Sequence, residues 1–264
     1  MMNILDKIMA NKKKELTELV RKTPVKRLEK QESFSREVIP LSEFILNPSK
    51  TGIIAEFKKK SPSAGIINSR VGIEEVTTGY SHLGASGLSV LTEKRFFGGN
   101  NNDLIIARKM NSIPILRKDF IFNEYQVIES KAIGADAILL IASLLTKNQI
   151  QKLACLASSL GLQVVLEIHN AGEIKKINDY IDITGVNNRD LRTFKVDTEL
   201  SFRLADRIPP GFIKISESGI SSNNIVINLK KAGYQGFLIG GKFMKNSDPV
   251  SAFAEFTKSL KGEC

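Results

Sequence analysis

Charged side chains stand where several short apolar runs of this chain end. In the run Ile53 to Phe57 and the residue after it, Glu56 and Lys58 are two apart, so an extended backbone puts them on one face with Ile54 below them, while Ala55 and Phe57 point the other way. Lys118 ends a third run, Glu167 a fifth, Asn187 with Arg189 follows a sixth, and Glu217 with Ser218 follows a seventh. Ammonium groups can protonate an oxygen on which negative charge develops, and carboxylates can take protons away or return them. A lysine set beside another lysine is expected to have its proton affinity lowered toward working pH. Acid–base chemistry on an anionic substrate is the reading these residue types support. Each of them alone could equally be a solvated loop residue.

A second signal comes from small residues. Ser218 and Gly219 precede one helical stretch, and Gly240 and Gly241 open the short segment Lys242 to Lys245 before Asp248. Glycine lets backbone N–H groups approach an anion closely, which suits a phosphate; the competing role for the same glycines is turn formation.

These residues need a scaffold that brings distant strand ends together. Eight strand-like runs occur: Ile53 to Phe57, Leu88 to Leu91, Ile115 to Lys118, Ala137 to Ile141, Gln163 to Ile168, Asp182 to Val186, Phe212 to Ser216 and Gly236 to Ile239. Their starts lie about 26 residues apart on average, the length of one βα unit. An α/β fold of the closed (β/α)8 barrel type is therefore expected, with its site at the C-terminal ends of the strands. Thr146 or Asn148 is expected to cap the helix that stops at Gly161, Ser221 or Ser222 the one ending near Gly233, and Asp248 with Pro249 should open the last helix. Residues 1–50 read as a helical extension packed on a catalytic barrel of residues 51–264. Within the extension, Ile4, Leu5, Ile8, Met9, Leu16, Leu19 and Val20 are placed near one helical face with lysines opposite.

Composition narrows the class further. The chain has 264 residues, 42% of them hydrophobic, enough for a sizeable core. Its longest apolar runs fall well short of the ~18 to 20 residues needed to cross a membrane, and the N-terminus lacks the pattern of a secretory signal. Cys155 and Cys264 fit neither a disulfide framework nor a metal motif, and His82 and His169 form no zinc spacing. A cytoplasmic protein without a metal is expected, one with a single activity and no fused second catalytic domain because the chain stops soon after its last helix. The 38 Lys and Arg against 28 Asp and Glu give a formal charge of +10, and nine basic residues fall within the first thirty. A nucleic-acid arm there would want aromatic residues between the lysines, and none is present.

Taken with their order, the stretches IIAEFKKKSPSAG (from residue 53), LSVLTEKRFFGG (88–99), PILRKDFI (114–121), VVLEIHN (164–170), GVNNRDLRTF (185–194), ISESGI (215–220) and LIGGKFM (238–244) resemble those of the indole-3-glycerol-phosphate synthase family. The likeness spans the whole barrel. It implies a (β/α)8 fold with an N-terminal extension and conversion of 1-(2-carboxyphenylamino)-1-deoxyribulose 5-phosphate into indole-3-glycerol phosphate, carbon dioxide and water.

Carried over by position, the resemblance makes Lys118 the acid that protonates the ketone oxygen during ring closure. Lys58 would pair with the substrate carboxylate and assist dehydration, with Glu56 and Glu167 as proton carriers. Asn187, Arg189, Glu217 and Ser218 would orient the substrate, and Ser61, Gly219, Gly240 and Gly241 would hold its phosphate. Phe96, Phe120, Leu139 and Leu191 are expected as walls for the aromatic ring, with core packing as the competing role. Lys242 departs from the small or acidic residue the family often has there. No cofactor is implied; the partner is a phosphorylated small molecule, with no nucleic acid, no membrane and a monomer with at most weak self-association. The segment from Lys58 to Gly72 is expected to close over the substrate. His169 is expected to support the site from behind or to lie on the surface instead of acting as an acid or base, since Glu167 already supplies the strand-end carboxylate and the inward face alternates. The competing functions are another phosphosugar-handling barrel, such as an isomerase, and a basic nucleic-acid-binding protein.

Overall fold

The computed structural model describes residues 3–262; Cys264 lies outside them. Eight parallel strands close into a barrel: β1 (Ile53–Phe57), β2 (Gly87–Leu91), β3 (Ile115–Lys118), β4 (Ala137–Ile141), β5 (Gln163–Ile168), β6 (Ile183–Asn187), β7 (Ile213–Glu217) and β8 (Gly236–Ile239). Each pairs with the next, and β8 returns to β1 through Ile53 opposite Phe237 and Ala55 opposite Ile239. The β-branched and leucine-rich runs form these strands because both of their faces are covered. Ile53, Ala55 and Phe57 pack outward among the helices. Ile54 packs inward with Leu116, Leu139, Val165, Ile183, Ile215 and Leu238, filling the barrel below the mouth.

Two strands sit one residue later than the sequence suggests. Asp182 is not in β6; its carboxylate accepts the Val164 N–H at 2.8 Å, so it holds the strand entrance. Asn187 and Glu217 are not loop residues either. They pair with each other as the last rung between β6 and β7.

The connections follow their caps. Thr146 caps Lys147–Ser159 with Gln149 completing a capping box, and Gly161 follows in the left-handed region. Ser222 precedes Asn223–Lys231 but makes no side-chain cap. The Ser251 N–H donates to Asp248 Oδ1 at 2.9 Å at the start of Pro249–Gly262.

In the N-terminal segment, helix Ile4–Lys22 packs Leu5 and Ile8 near Phe120, and helix Leu41–Leu46 inserts Leu41 and Ile45 against the barrel interior. Two expectations for the first helix are corrected. Val20 is 44% exposed, whereas Lys12 is buried. Its ammonium is drawn inward by Asp119, 2.9 Å away, so the lysine face is not uniformly solvated.

Candidate active site

The mouth at the C-terminal ends of the strands holds a cavity of about 630 Å³. The strand-end side chains converge on it, as do the turns after β7 and β8. Glu56, Lys58, Ser61, Lys118, Phe120, Leu139, Glu167, Asn187, Arg189, Leu191, Glu217, Ser218, Gly219, Gly240 and Gly241 all line it. Phe96 does not. Its ring lies under the Arg95 guanidinium, and the neighbouring Phe97 takes the wall instead, tilted against Phe120 with ring centroids 5.9 Å apart. Neither strand periodicity nor helix periodicity extends into the turn carrying these two rings, so sequence alone had no basis for choosing between them.

An ion cluster occupies the floor. Lys58 Nζ donates to Glu56 Oε1 at 2.5 Å. Lys118 Nζ donates to Glu167 Oε2 at 2.9 Å and also bonds Glu217 Oε2. The lysines are therefore each matched with acids, and this reverses one expectation: burial alone would weaken the hold of Lys118 on its proton, but Glu167, Glu217 and Glu56 outweigh it and raise its pKa above the ordinary lysine value. Glu167 is held well below the usual carboxylate range, because Lys118 and His169 outweigh the opposing effect of burial. Glu217 goes the other way. Burial pushes it up to about 7, Lys118 opposes this, and the charges of Glu167 and Glu56 add to it. Two carboxylates that meet across the strand between them thus differ in proton affinity, an arrangement suited to passing protons.

Close backbone approach shapes this floor. A Cβ on Gly240 would lie 2.5 Å from Glu56 Oε1, and one on Gly185 would lie 2.4 Å from Glu217 Oε1. Gly240 therefore makes room for Glu56 as well as opening the turn after β8. Gly185 was not singled out from sequence; its signal is visible only once β6 and β7 are paired.

The turn after β7 is held from behind. Ser218 has φ 65°, a left-handed conformation that costs a serine free energy. Asn188 Nδ2 donates to the Ser218 carbonyl at 3.0 Å and to Ser216 Oγ at 3.1 Å, while its Oδ1 accepts from Ser201. Asn188 is thereby a support for the turn that sequence reading missed. Arg189 is steered by a hydrogen bond from its guanidinium to the Phe194 carbonyl at 3.0 Å, and its N–H donates to Asn187 Oδ1 at 3.0 Å.

The segment after Lys58 is more ordered than a plain loop. Lys60–Ser61 pairs antiparallel with Gly65–Ile66, and Lys59 reaches Asp103 at 2.8 Å on the following βα unit. Ser61 to Ala64 face the cavity, and Ile66, opposite Lys60, is 73% exposed. Among the described residues no cluster of three or more His, Cys, Asp or Glu could hold a metal ion, and no helix is long and apolar enough to cross a membrane.

The chain is similar to several known proteins. A 264-residue alignment gives 45% identity to an indole-3-glycerol phosphate synthase of Bacteroides thetaiotaomicron, covering 99% of this chain and all of the relative. The synthase of Thermoanaerobacter pseudethanolicus is 39% identical over 262 residues, 98% of this chain and 99% of its own. The crystal structure of 3-hexulose-6-phosphate synthase from Salmonella typhimurium superposes with a TM-score of 0.62 over 80% of this chain and 99% of that one; at 12% identity it shows the fold alone. The family model described as indole-3-glycerol phosphate synthase matches residues 5–256. With that match across nearly the whole barrel and extension, the chain belongs to the indole-3-glycerol phosphate synthase family, the carboxy-lyases of tryptophan biosynthesis.

Proposed function

We propose that this chain closes the indole ring of 1-(2-carboxyphenylamino)-1-deoxyribulose 5-phosphate with Lys118 as the proton donor. The observation that carries this reading is the Lys118 ammonium on the cavity floor, 2.9 Å from Glu167 and bonded to Glu217. Bond formation between the arene carbon and the ketone carbon pushes negative charge onto the ketone oxygen. An ammonium kept protonated by its acidic neighbours is ready to neutralise it.

Ring closure leaves a cationic iminium next to the carboxylate. That cation accepts the electron pair when carbon dioxide departs, so the substrate supplies its own electron sink and no cofactor is needed. Lys58 pairs with the departing carboxylate and then protonates the hydroxyl lost as water. Glu56 and Glu167 are the bases for the proton removed in that step. Asn187, Arg189, Glu217 and Ser218 orient the substrate. Phe120, Leu139 and Leu191 pack on its ring, with Phe97 in the place expected of Phe96. Ser61 and the N–H groups of Gly219, Gly240 and Gly241 take the phosphate. The hairpin after Lys58 closes over the bound molecule. The enzyme works as a cytoplasmic monomer, which sedimentation of the purified chain tests.

The direct test offers purified protein the substrate in the presence of a chelator and follows indole fluorescence. Product formation without added metal or nucleotide is expected. No product under conditions where the chain is folded would overturn the reading.

A further inference from the structure

The floor cluster is unbalanced. Glu56, Glu167 and Glu217 face two ammonium groups, Lys58 and Lys118. If all five groups were ionised, one buried negative charge would lack a partner, and buried charges without partners are costly. One more positive charge, or one more proton, must sit nearby.

His169 is placed to carry it. The residue follows β5, its N–H donates to Glu173 Oε2 at 2.7 Å, and its side chain is only 12% exposed. Its Nε2 lies 3.3 Å from Glu167 Oε1 and its Nδ1 lies 3.9 Å from Glu173 Oε2. Among the described residues Glu167 Oε1 has no aligned hydrogen-bond partner, whereas Oε2 is taken by Lys118. Glu167 thus has a lysine on one oxygen and the imidazole beside the other. Among the described residues, the charges that act most strongly on the ring are acidic: Glu167 from β5, Glu173 from the turn Ala171–Lys176, and Glu217 from β7. The cation on that turn, Lys176, is directed instead to the carbonyls of Ala142 and Leu145, at 2.6 and 2.8 Å.

We propose that His169 is protonated at working pH and acts as a positioning residue, holding Glu167 ionised and oriented between the imidazolium and Lys118. Burial disfavours the imidazolium, but Glu167, Glu173 and Glu217 outweigh burial and raise the His169 pKa above its ordinary value. Loss of that proton as pH rises removes the partner of Glu167 Oε1 and returns the charge imbalance to the cluster. Turnover then falls on the alkaline side. The kinetic part of this inference rests on the ring-closing reading of the site; the charge on His169 does not.

The chain has two histidines, His82 and His169, so an imidazole NMR titration contains two signals, assigned by His82→Asn. His169 is expected to titrate above the ordinary ~6.5, and Glu167→Gln should lower its midpoint. In kinetics, His169→Gln should cut kcat about tenfold with little change in KM and abolish an alkaline limb that coincides with the His169 midpoint in the parent protein. A midpoint at or below ~6.5, or one that ignores Glu167→Gln, would overturn the proposal and put the missing proton on Glu217. An unchanged kcat and alkaline limb in His169→Gln would overturn the positioning role. If the parent protein makes no product at all, the ring-closing reading fails, and the titration still decides the charge on His169.

Discussion

Strand β3 separates two ion clusters built from the same residue types. On its outer side, Asp119 accepts from Lys12 at 2.9 Å, Thr92 Oγ1 at 2.7 Å, Arg117 at 3.2 Å and the Phe120 N–H at 2.8 Å. Arg117 in turn reaches Glu129 at 2.7 Å and Ser130 at 3.1 Å. On the inner side, Lys118 joins Glu167 and Glu217, yet Glu217 keeps one buried oxygen without a partner among the described residues. The contrast shows in their proton affinities. Burial would raise Asp119, but Lys12 and Arg117 outweigh it and hold it down to about 2, whereas Glu217 is pushed up to about 7. A closed network fixes the extension and the end of β3 in place; an unfinished one is left for a substrate to complete.

Removing a member from each side separates the two roles. Lys118→Ala should lower kcat by about 10² to 10⁴-fold while circular dichroism shows the fold retained. Near-normal turnover would remove Lys118 from the chemistry. Asp119→Ala strands Lys12 as a buried cation while Arg117 keeps Glu129, and urea unfolding should register a loss of about 3 to 5 kcal/mol. A loss below about 1 kcal/mol would mean that the outer cluster is no clamp.

Acidity probes the same contrast with opposite signs. The native pKa of Asp119, about 2, lies below the ~3.9 of an unfolded aspartate, so its stabilisation is complete above pH ~4 and lost as pH falls toward 2. That loss is worth about 2 kcal/mol and should be absent in Asp119→Asn. Glu217 is raised, so the folded state holds its proton more tightly than the unfolded one, and its contribution declines as pH rises from the ordinary ~4.3 toward 7. Glu217→Gln should flatten the stability curve over that interval. Unfolding free energies measured across both pH ranges would show whether the slopes have these signs.

The smallest effect concerns the rim. Lys242 lines the cavity beside Gly240 and Gly241, where it can face the phosphate in water-exposed surroundings. Lys242→Met should raise KM about fivefold, a change of about 1 kcal/mol, with kcat unchanged and with less dependence on salt. An equal KM and salt response would leave the phosphate to the backbone alone.

The barrel was legible because hydrophobic runs of the right length recur at βα spacing and end in polar residues. Five of the eight runs, those beginning at Ile53, Ile115, Ala137, Gln163 and Gly236, match the observed strands at both ends. The strand-end residues Glu56, Lys118 and Glu167 were legible for the same reason, since strand alternation fixes which residues point inward, whereas Ser61, Phe120, Leu139 and Leu191 were placed by the family resemblance. What sequence could not supply were contacts between distant segments. The burial of Lys12 depends on Asp119 across 107 positions, and the role of Gly185 depends on Glu217 on the neighbouring strand. The sign of the Lys118 shift was misread for a related reason: its nearest charges are acids on β5 and β7, not the other lysine.

A crystal structure with a non-cyclising substrate analogue tests the division of β3 most directly. The analogue's C2 oxygen should lie within hydrogen-bond reach of Lys118 Nζ, its carboxylate near Lys58 and its phosphate on Ser61, Gly219 and Gly241, while the Lys12–Asp119 pair stays as it is. Density elsewhere in the molecule, or Lys118 and Lys58 turned away from a ligand in the mouth, would contradict the account.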